Sequence, residues 1–193
     1  MSLPQLSPSV ADHAEFSAEE RALLLCLAHD AILSALEKRE IPLIPPTDHL
    51  AEPRGVFTSL YLRGGLRGCV GYALAVSPVY RAVAETARAA AFEDIRFSPV
   101  TLEEAPHLQI ELSILSPPQA IAAEDVEPGR HGLLISMHGR RGLLLPQVSI
   151  EHAWERVTFL EQTCRKAGLP FDAWQKGATI EAFTAEVFGE KGA

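Results

Sequence analysis

Residues Leu66 to Gly71 read LRGCVG, which sets one cysteine between two glycines and two residues after an arginine. On a strand, Arg67 and Cys69 project from the same face at roughly 6.5–7 Å spacing. A guanidinium that close favours thiolate over thiol, and the thiolate is the nucleophilic form of sulfur. Gly68 and Gly71 withhold side chains on either side of the sulfur, so a ligand or another backbone can approach closely. A free cysteine is more often a small buried hydrophobe than a nucleophile. Here, however, the face carrying Arg67, Cys69, Gly71 and Ala73 is poorly suited to a packed apolar layer, and the wall of a polar cleft fits it better. Cys69 is therefore the first catalytic candidate, with Arg67, Gly68 and Gly71 as candidate substrate-binding positions.

Other residues could serve the same chemistry. Glu111 alternates with apolar neighbours beside Gln109 and Ser113; it is a solvated carboxylate unless its face meets the cysteine strand, where it becomes a base or an arginine partner. Asp94 and Arg96 either pair across a loop or bind an anionic substrate, for which the planar arginine fork is suited. His131 and His138 each stand next to a glycine, and a Cys/His couple would need adjacency in space that sequence does not reveal. The seven histidines form no HExxH, HxH or clustered Cys/His pattern, so no metal is expected. The chain also lacks GxGxxG, a Walker loop and GxSxG, and no cofactor is expected.

The elements that must position these residues are legible in part. Met1 to Phe16 reads as a loosely attached arm. Ser17 and Glu20 have capping-box spacing, and the following apolar residues, Leu23, Leu24, Leu27, Ala31, Ile32, Ala35 and Leu36, predict a helix over about Ala18 to Lys38. Prolines at 42, 45, 46 and 53 predict an irregular connection. GVFTSLYL (Gly55–Leu62) and LRGCVGYAL (Leu66–Leu74) flank Arg63-Gly64-Gly65, a hairpin signal. Ser77-Pro78 predicts an N-cap with proline at the first helical position, then a helix to Ala91 with Val79, Ala82, Val83, Thr86 and Ala90 inward. DIRFSP is a loop; Leu108, Ile110, Leu112 and Ile114 then alternate as a strand with one apolar face, ended by Pro117-Pro118. His131 to Leu145 predicts a second hairpin. Ser149 is expected to precede a helix to Ala167 with Val157, Leu160 and Cys164 on one face, ended by Gly168 and Pro170. Thr179 to Phe188 predicts a last strand. Helices and hairpins without regular βαβ alternation indicate an α+β fold with a mainly antiparallel sheet and flanking helices.

Composition bounds the function. A chain of 193 residues fits one domain with a sizeable core. A net charge of −8 argues against a general nucleic-acid binder, although Arg140 and Arg141 could form a local basic patch. Apolar runs are broken well before the roughly 18 residues of a membrane span, and the N-terminus lacks a signal-peptide pattern, so a cytoplasmic location and no membrane partner are expected. Cys26, Cys69 and Cys164 are an odd number, far apart, and read as free thiols. Cys26 and Cys164 fall in helical patterns and are expected in the core.

The motifs in their order resemble the AMMECR domain family, whose bacterial and archaeal members are called AmmeMemoRadiSam system protein A. The resemblance rests on LRGCVG at Leu66–Gly71, GVFTSL at Gly55–Leu60 and DIRF at Asp94–Phe97. It continues through IELSIL at Ile110–Leu115, GRHGLLI at Gly129–Ile135, GLLLPQV at Gly142–Val148 and CRKAGLP at Cys164–Pro170. It spans about Ser17 to Glu190, as a single domain. Departures are small: Val70 where isoleucine is common, Ile95 where proline is common, and Thr58-Ser59 for a more usual Val-Thr pair. The resemblance implies two unequal lobes with a cleft lined by the cysteine motif. It also implies functional links to a Memo-like, dioxygenase-related protein and to a radical S-adenosylmethionine protein; whether the chain forms a homodimer stays open. Two readings follow. One is a cysteine-dependent enzyme or enzyme-system component, with Glu111 or His131 moving protons and Arg96 anchoring substrate. The other is a non-catalytic module whose cleft holds a peptide, a metabolite or a partner's loop.

Overall fold

A computed structural model describes residues 14–190. Helix α1 (Ala18–Glu37) begins at a complete capping box: the Glu20 N–H donates to Ser17 Oγ, and the Ser17 N–H donates to the Glu20 carboxylate. The expected arm lies largely outside the described residues, but its last residue does not belong to it. Phe16 is fully buried, stacked on His49 with ring centroids 4.8 Å apart.

Strands β1 (Gly55–Leu62) and β2 (Gly65–Tyr72) form the expected hairpin. Arg63 and Gly64 both have positive φ, 52° and 79°, as a two-residue type I′ turn requires. Helix α2 (Val79–Phe92) buries all five expected inward residues, but starts one residue later than the Ser-Pro signal predicts. Pro78 is itself the N-cap. The Ser77 carbonyl accepts the Arg54 N–H, which keeps Ser77 in the loop. Thr58 of β1 and Thr86 of α2 are buried and share a 2.8 Å hydrogen bond, and Thr86 Oγ1 lies 2.7 Å from the Ala82 carbonyl, so neither hydroxyl is left unpaired.

Strand β3 (Leu108–Leu115) alternates as predicted. With β8 (Ala185–Gly189) it completes an antiparallel sheet of order β2-β1-β3-β8, whose inner face packs on α1 and α2. A second antiparallel sheet has the order β4-β7-β5-β6, formed by β4 (Gln119–Ala120), β5 (Gly132–Met137), β6 (Arg140–Leu144) and β7 (Thr179–Phe183). Each sheet has its own core, so the α+β fold consists of two lobes.

The final strand is two strands. Between β7 and β8 the chain passes from one sheet to the other at Thr184, alongside the passage from β3 to β4 at Ser116–Pro118. Ser116 and Thr184 hold the crossing by reciprocal backbone and side-chain hydrogen bonds of 2.9 and 3.0 Å. Pro117 and Pro118 have no N–H to continue the ladder, so the ribbon bends there.

The expected single helix after Ser149 is also two, α3 (Pro146–Glu151) and α4 (Arg156–Lys166). Ala153 has φ 50°, and the Trp154 N–H turns back to the Ser149 carbonyl at 2.8 Å. Ser149 lies inside α3, buried, donating to the Pro146 carbonyl and accepting from the Gly129 N–H. The inward stripe of α4 is Phe159, Leu160, Thr163 and Cys164; Val157, two residues and about 200° from Phe159, is exposed. The same geometry corrects the placement of Cys26. It stands about 200° from Leu24, on the outer side of the α1 stripe, and is exposed, whereas Cys164 is fully buried. Among the described residues, no helix is long and apolar enough to cross a membrane.

Candidate functional site

Alternation along β1 sends Val56, Thr58 and Leu60 into the core and leaves Phe57, Ser59 and Tyr61 half-buried on the opposite face. The turn at Arg63–Gly64 pairs Leu62 with Gly65 and Tyr61 with Leu66. Continued without interruption, that register would set Cys69 opposite Thr58 and point it into the core. Instead the register shifts: Leu60 pairs with Gly68 and Ser59 with Cys69, leaving Arg67 as the extra residue of a β-bulge. The one-residue shift exchanges the two faces of β2. Cys69 turns outward, and Gly68 turns in against α2, where a Cβ would lie 2.1 Å from the Ala90 carbonyl oxygen.

On the outer face, Ser59 is paired with Cys69 on one side and Glu111 on the other, so the three form a row across β2, β1 and β3. Ser59 Oγ donates to Cys69 Sγ at 3.3 Å. Tyr61, the next outward residue of β1, donates its hydroxyl to Glu111 Oε1 at 3.5 Å. Its phenol is pushed up chiefly by burial, then by the Glu111 carboxylate and the Cys69 sulfur, while the Ser59 hydroxyl acts in the opposite sense.

The backbone of Cys69 is held from the open edge of the sheet, since β2 is an outer strand. Its N–H donates to Asp94 Oδ2 at 2.9 Å, and its carbonyl accepts from Arg96 at 3.4 Å. Arg96 also grips both oxygens of Asp94, at 2.7 and 2.9 Å. Arg96 first, and the Cys69 N–H second, hold the Asp94 carboxyl well below the usual carboxylate range. The pair supplies one acceptor and one donor where a neighbouring strand would stand, and so covers an exposed edge.

The other candidates lie elsewhere or are committed. Arg67 directs its guanidinium to both oxygens of Glu104, at 3.0 and 3.1 Å, and to the Pro99 carbonyl. The Arg67 guanidinium in turn lowers the Glu104 carboxyl. Its charge is thus neutralised by Glu104 rather than directed at Cys69, because the bulge breaks the simple two-residue alternation. The room left by Gly68 is filled by α2, and that at Gly71 by Phe57, whose Cδ1 would lie 2.4 Å from an added Cβ. Both glycines serve close approach by the protein itself. His131 belongs to the second lobe, where its Nδ1 accepts the Glu127 N–H at 3.1 Å; burial is the main cause lowering its pKa. It lines a hollow of about 280 Å³ with Gln119 and Phe183, and forms no couple with Cys69.

Ser59, Tyr61 and Glu104 were not singled out from sequence. The period-two pattern of GVFTSLYL could have placed Ser59 and Tyr61 on one face, but the bulge that brings Ser59 to Cys69 leaves no local signature. Among the described residues, no group of three or more His, Cys, Asp or Glu side chains converges to hold a metal.

A family model described as AMMECR1 matches residues 25–188. A protein of Methanopyrus kandleri is 41% identical over 185 residues, covering 90% of this chain and 89% of that protein. One from Aquifex aeolicus is 40% identical over 179 residues, covering 87% and 91%. The crystal structure of an uncharacterized protein from Pyrococcus horikoshii is similar at TM-score 0.68 and 38% identity, covering 88% of this chain and 90% of that one.

Proposed function

The chain belongs to the AMMECR1 family, and on that footing we propose that the row Cys69, Ser59 and Glu111 is the working centre of a cysteine-dependent enzyme, or of one component of a larger enzyme system, acting on a small or peptide substrate. The observation that carries this reading is the 3.3 Å hydrogen bond from Ser59 Oγ to Cys69 Sγ, with Glu111 next in the same row. A hydroxyl that donates to sulfur holds it in one orientation on the accessible face and offers a hydrogen bond to it as it reacts. Glu111, held by the Tyr61 hydroxyl, is the carboxylate of the row and accepts a proton from a substrate bound on this face. Asp94 and Arg96 are positioning residues that hold the Cys69 backbone while its sulfur stays on the accessible face.

The test is a comparison of thiols within one molecule. Iodoacetamide is added to the Cys164→Ala variant, and modification of Cys69 and Cys26 is followed by peptide mass spectrometry. Cys69, although less exposed than Cys26, reacts faster; Ser59→Ala slows it and His131→Ala leaves it unchanged. Slower reaction at Cys69 than at Cys26 would refute an activated sulfur.

A second reading, an adaptor for the Memo-like and radical S-adenosylmethionine proteins that the resemblance implies, is favoured by the two-sided hold on the Cys69 backbone, which is a structural use of the motif. On that reading Cys69→Ala retains both partners in a pull-down with the purified proteins.

A further inference from the structure

The second sheet carries a row of its own. Thr179 of β7 is paired with Ser136 of β5, and Ser136 with Arg141 of β6. Two hydroxyls and a guanidinium therefore stand side by side on one face, at the spacing of about 4.8 Å between strands. This face points away from the core, because the alternate residues of β5, Leu133, Ile135 and Met137, pack with Phe159 and Leu160 of α4. The row lines a hollow of about 500 Å³, to which His138 and Arg140 also contribute.

Among the described residues no carboxylate lines this hollow, in a chain whose formal charge is −8. Glu181 shares the face but sits one row further along β7, opposite Leu134. Arg140 gives one nitrogen to the Gly168 carbonyl. Arg141 is exposed and makes no ion pair or side-chain hydrogen bond among the described residues, unlike Arg130 or Lys176, which are paired with carboxylates. An unpaired arginine fork beside two hydroxyl donors lacks only an acceptor.

We propose that this hollow binds the phosphoryl group of a small metabolite. The Arg141 fork takes two oxygens in the bidentate manner that suits phosphate. Ser136 and Thr179 donate to a third, and His138 stands at the rim. The volume falls within the roughly 300–1,000 Å³ of small-molecule sites, whereas a nucleic-acid strand would need an extended basic stripe. The site is separate from the Cys69 row and stands whatever that row does.

The experiment is titration of the full chain with inorganic phosphate, read by backbone amide NMR shifts, with sodium chloride at matched ionic strength and citrate as comparators. Phosphate is expected to bind saturably, with shifts centred on Ser136, Arg141 and Thr179 that chloride does not reproduce. Arg141→Gln, a surface change whose fold is checked by circular dichroism, weakens binding at least about tenfold, the order expected for lost hydrogen bonds to a charged group. An equal response to chloride, shifts centred elsewhere, or unchanged affinity in Arg141→Gln overturns the site. Tighter binding of citrate than phosphate overturns the phosphoryl assignment.

Discussion

Gly68→Ala is the substitution that tests most directly how the fold presents Cys69. The added Cβ would lie 2.1 Å from the Ala90 carbonyl oxygen and 3.1 Å from its carbon, both backbone atoms of α2. An ordinary carbon–oxygen contact needs roughly 1 Å more, and a close-packed interior has no slack to supply it. Separating β2 from α2 by that amount falls in the overpacking range of about 1–3 kcal/mol, toward its upper end because no flexible side chain can yield. Replacing glycine also lowers the entropy of the unfolded chain, an offset of about 0.4–1 kcal/mol. The net expectation is a loss of about 2 kcal/mol, or a Tm lower by about 4–8 °C for a chain of this size. Gly65→Ala, three residues away in the same strand, is the control: its nearest neighbour would be the Leu62 carbonyl at 3.6 Å, an ordinary contact. It should be neutral or raise Tm slightly. Calorimetry on the two variants gives the answer. A Gly68→Ala protein melting within about 1 °C of the parent, where even 1 kcal/mol would move Tm by more, would refute the close approach and with it the bulged register.

Glu104 is held below its ordinary pKa first by the Arg67 guanidinium, so its contribution to stability is fully present above the unfolded value of about 4.3 and is lost as pH falls through the lower folded value. Glu104→Gln should therefore lower stability at pH 7 by about 1 kcal/mol, and the difference from the parent should shrink as urea titrations move from pH 5 to pH 3; a constant difference would refute the pairing. The two remaining cysteines should behave oppositely. Cys164, fully buried and with its thiol pushed up by burial, stays unmodified by a thiol reagent until urea is added, and Cys164→Ser costs about 1–3 kcal/mol. Cys26 reacts in the native state, and Cys26→Ser changes stability by less than about 0.5 kcal/mol. Modification of Cys164 before Cys26 would reverse that placement.

The amino-acid sequence by itself determined the features whose cause is local. The Ser17 and Glu20 capping box starts α1 because both partners lie within one helical turn. The alternation of Leu108, Ile110, Leu112 and Ile114 makes β3 because period two matches a half-buried strand. The turns at Arg63–Gly64 and His138–Gly139 close two hairpins because glycine readily adopts positive φ. These residues also sufficed to place Cys69 on a β2 strand and Glu111 on the polar face of β3.

Tertiary structure decided what those elements do together. A continuous alternating pattern from Thr179 to Phe188 does not reveal that Thr184 hands the chain from one sheet to the other, because side-chain period is the same in both. Ala153 breaks the helix after Ser149 although alanine is a good helix former, since Trp154 folds back on the Ser149 carbonyl. The bulge at Arg67 has the largest consequence. Strand register depends on which face of β2 can meet α2, and only Gly68 fits against Ala90; that contact, about twenty residues distant in sequence, turns Cys69 outward, brings Ser59 and Glu111 into its row and directs Arg67 to Glu104.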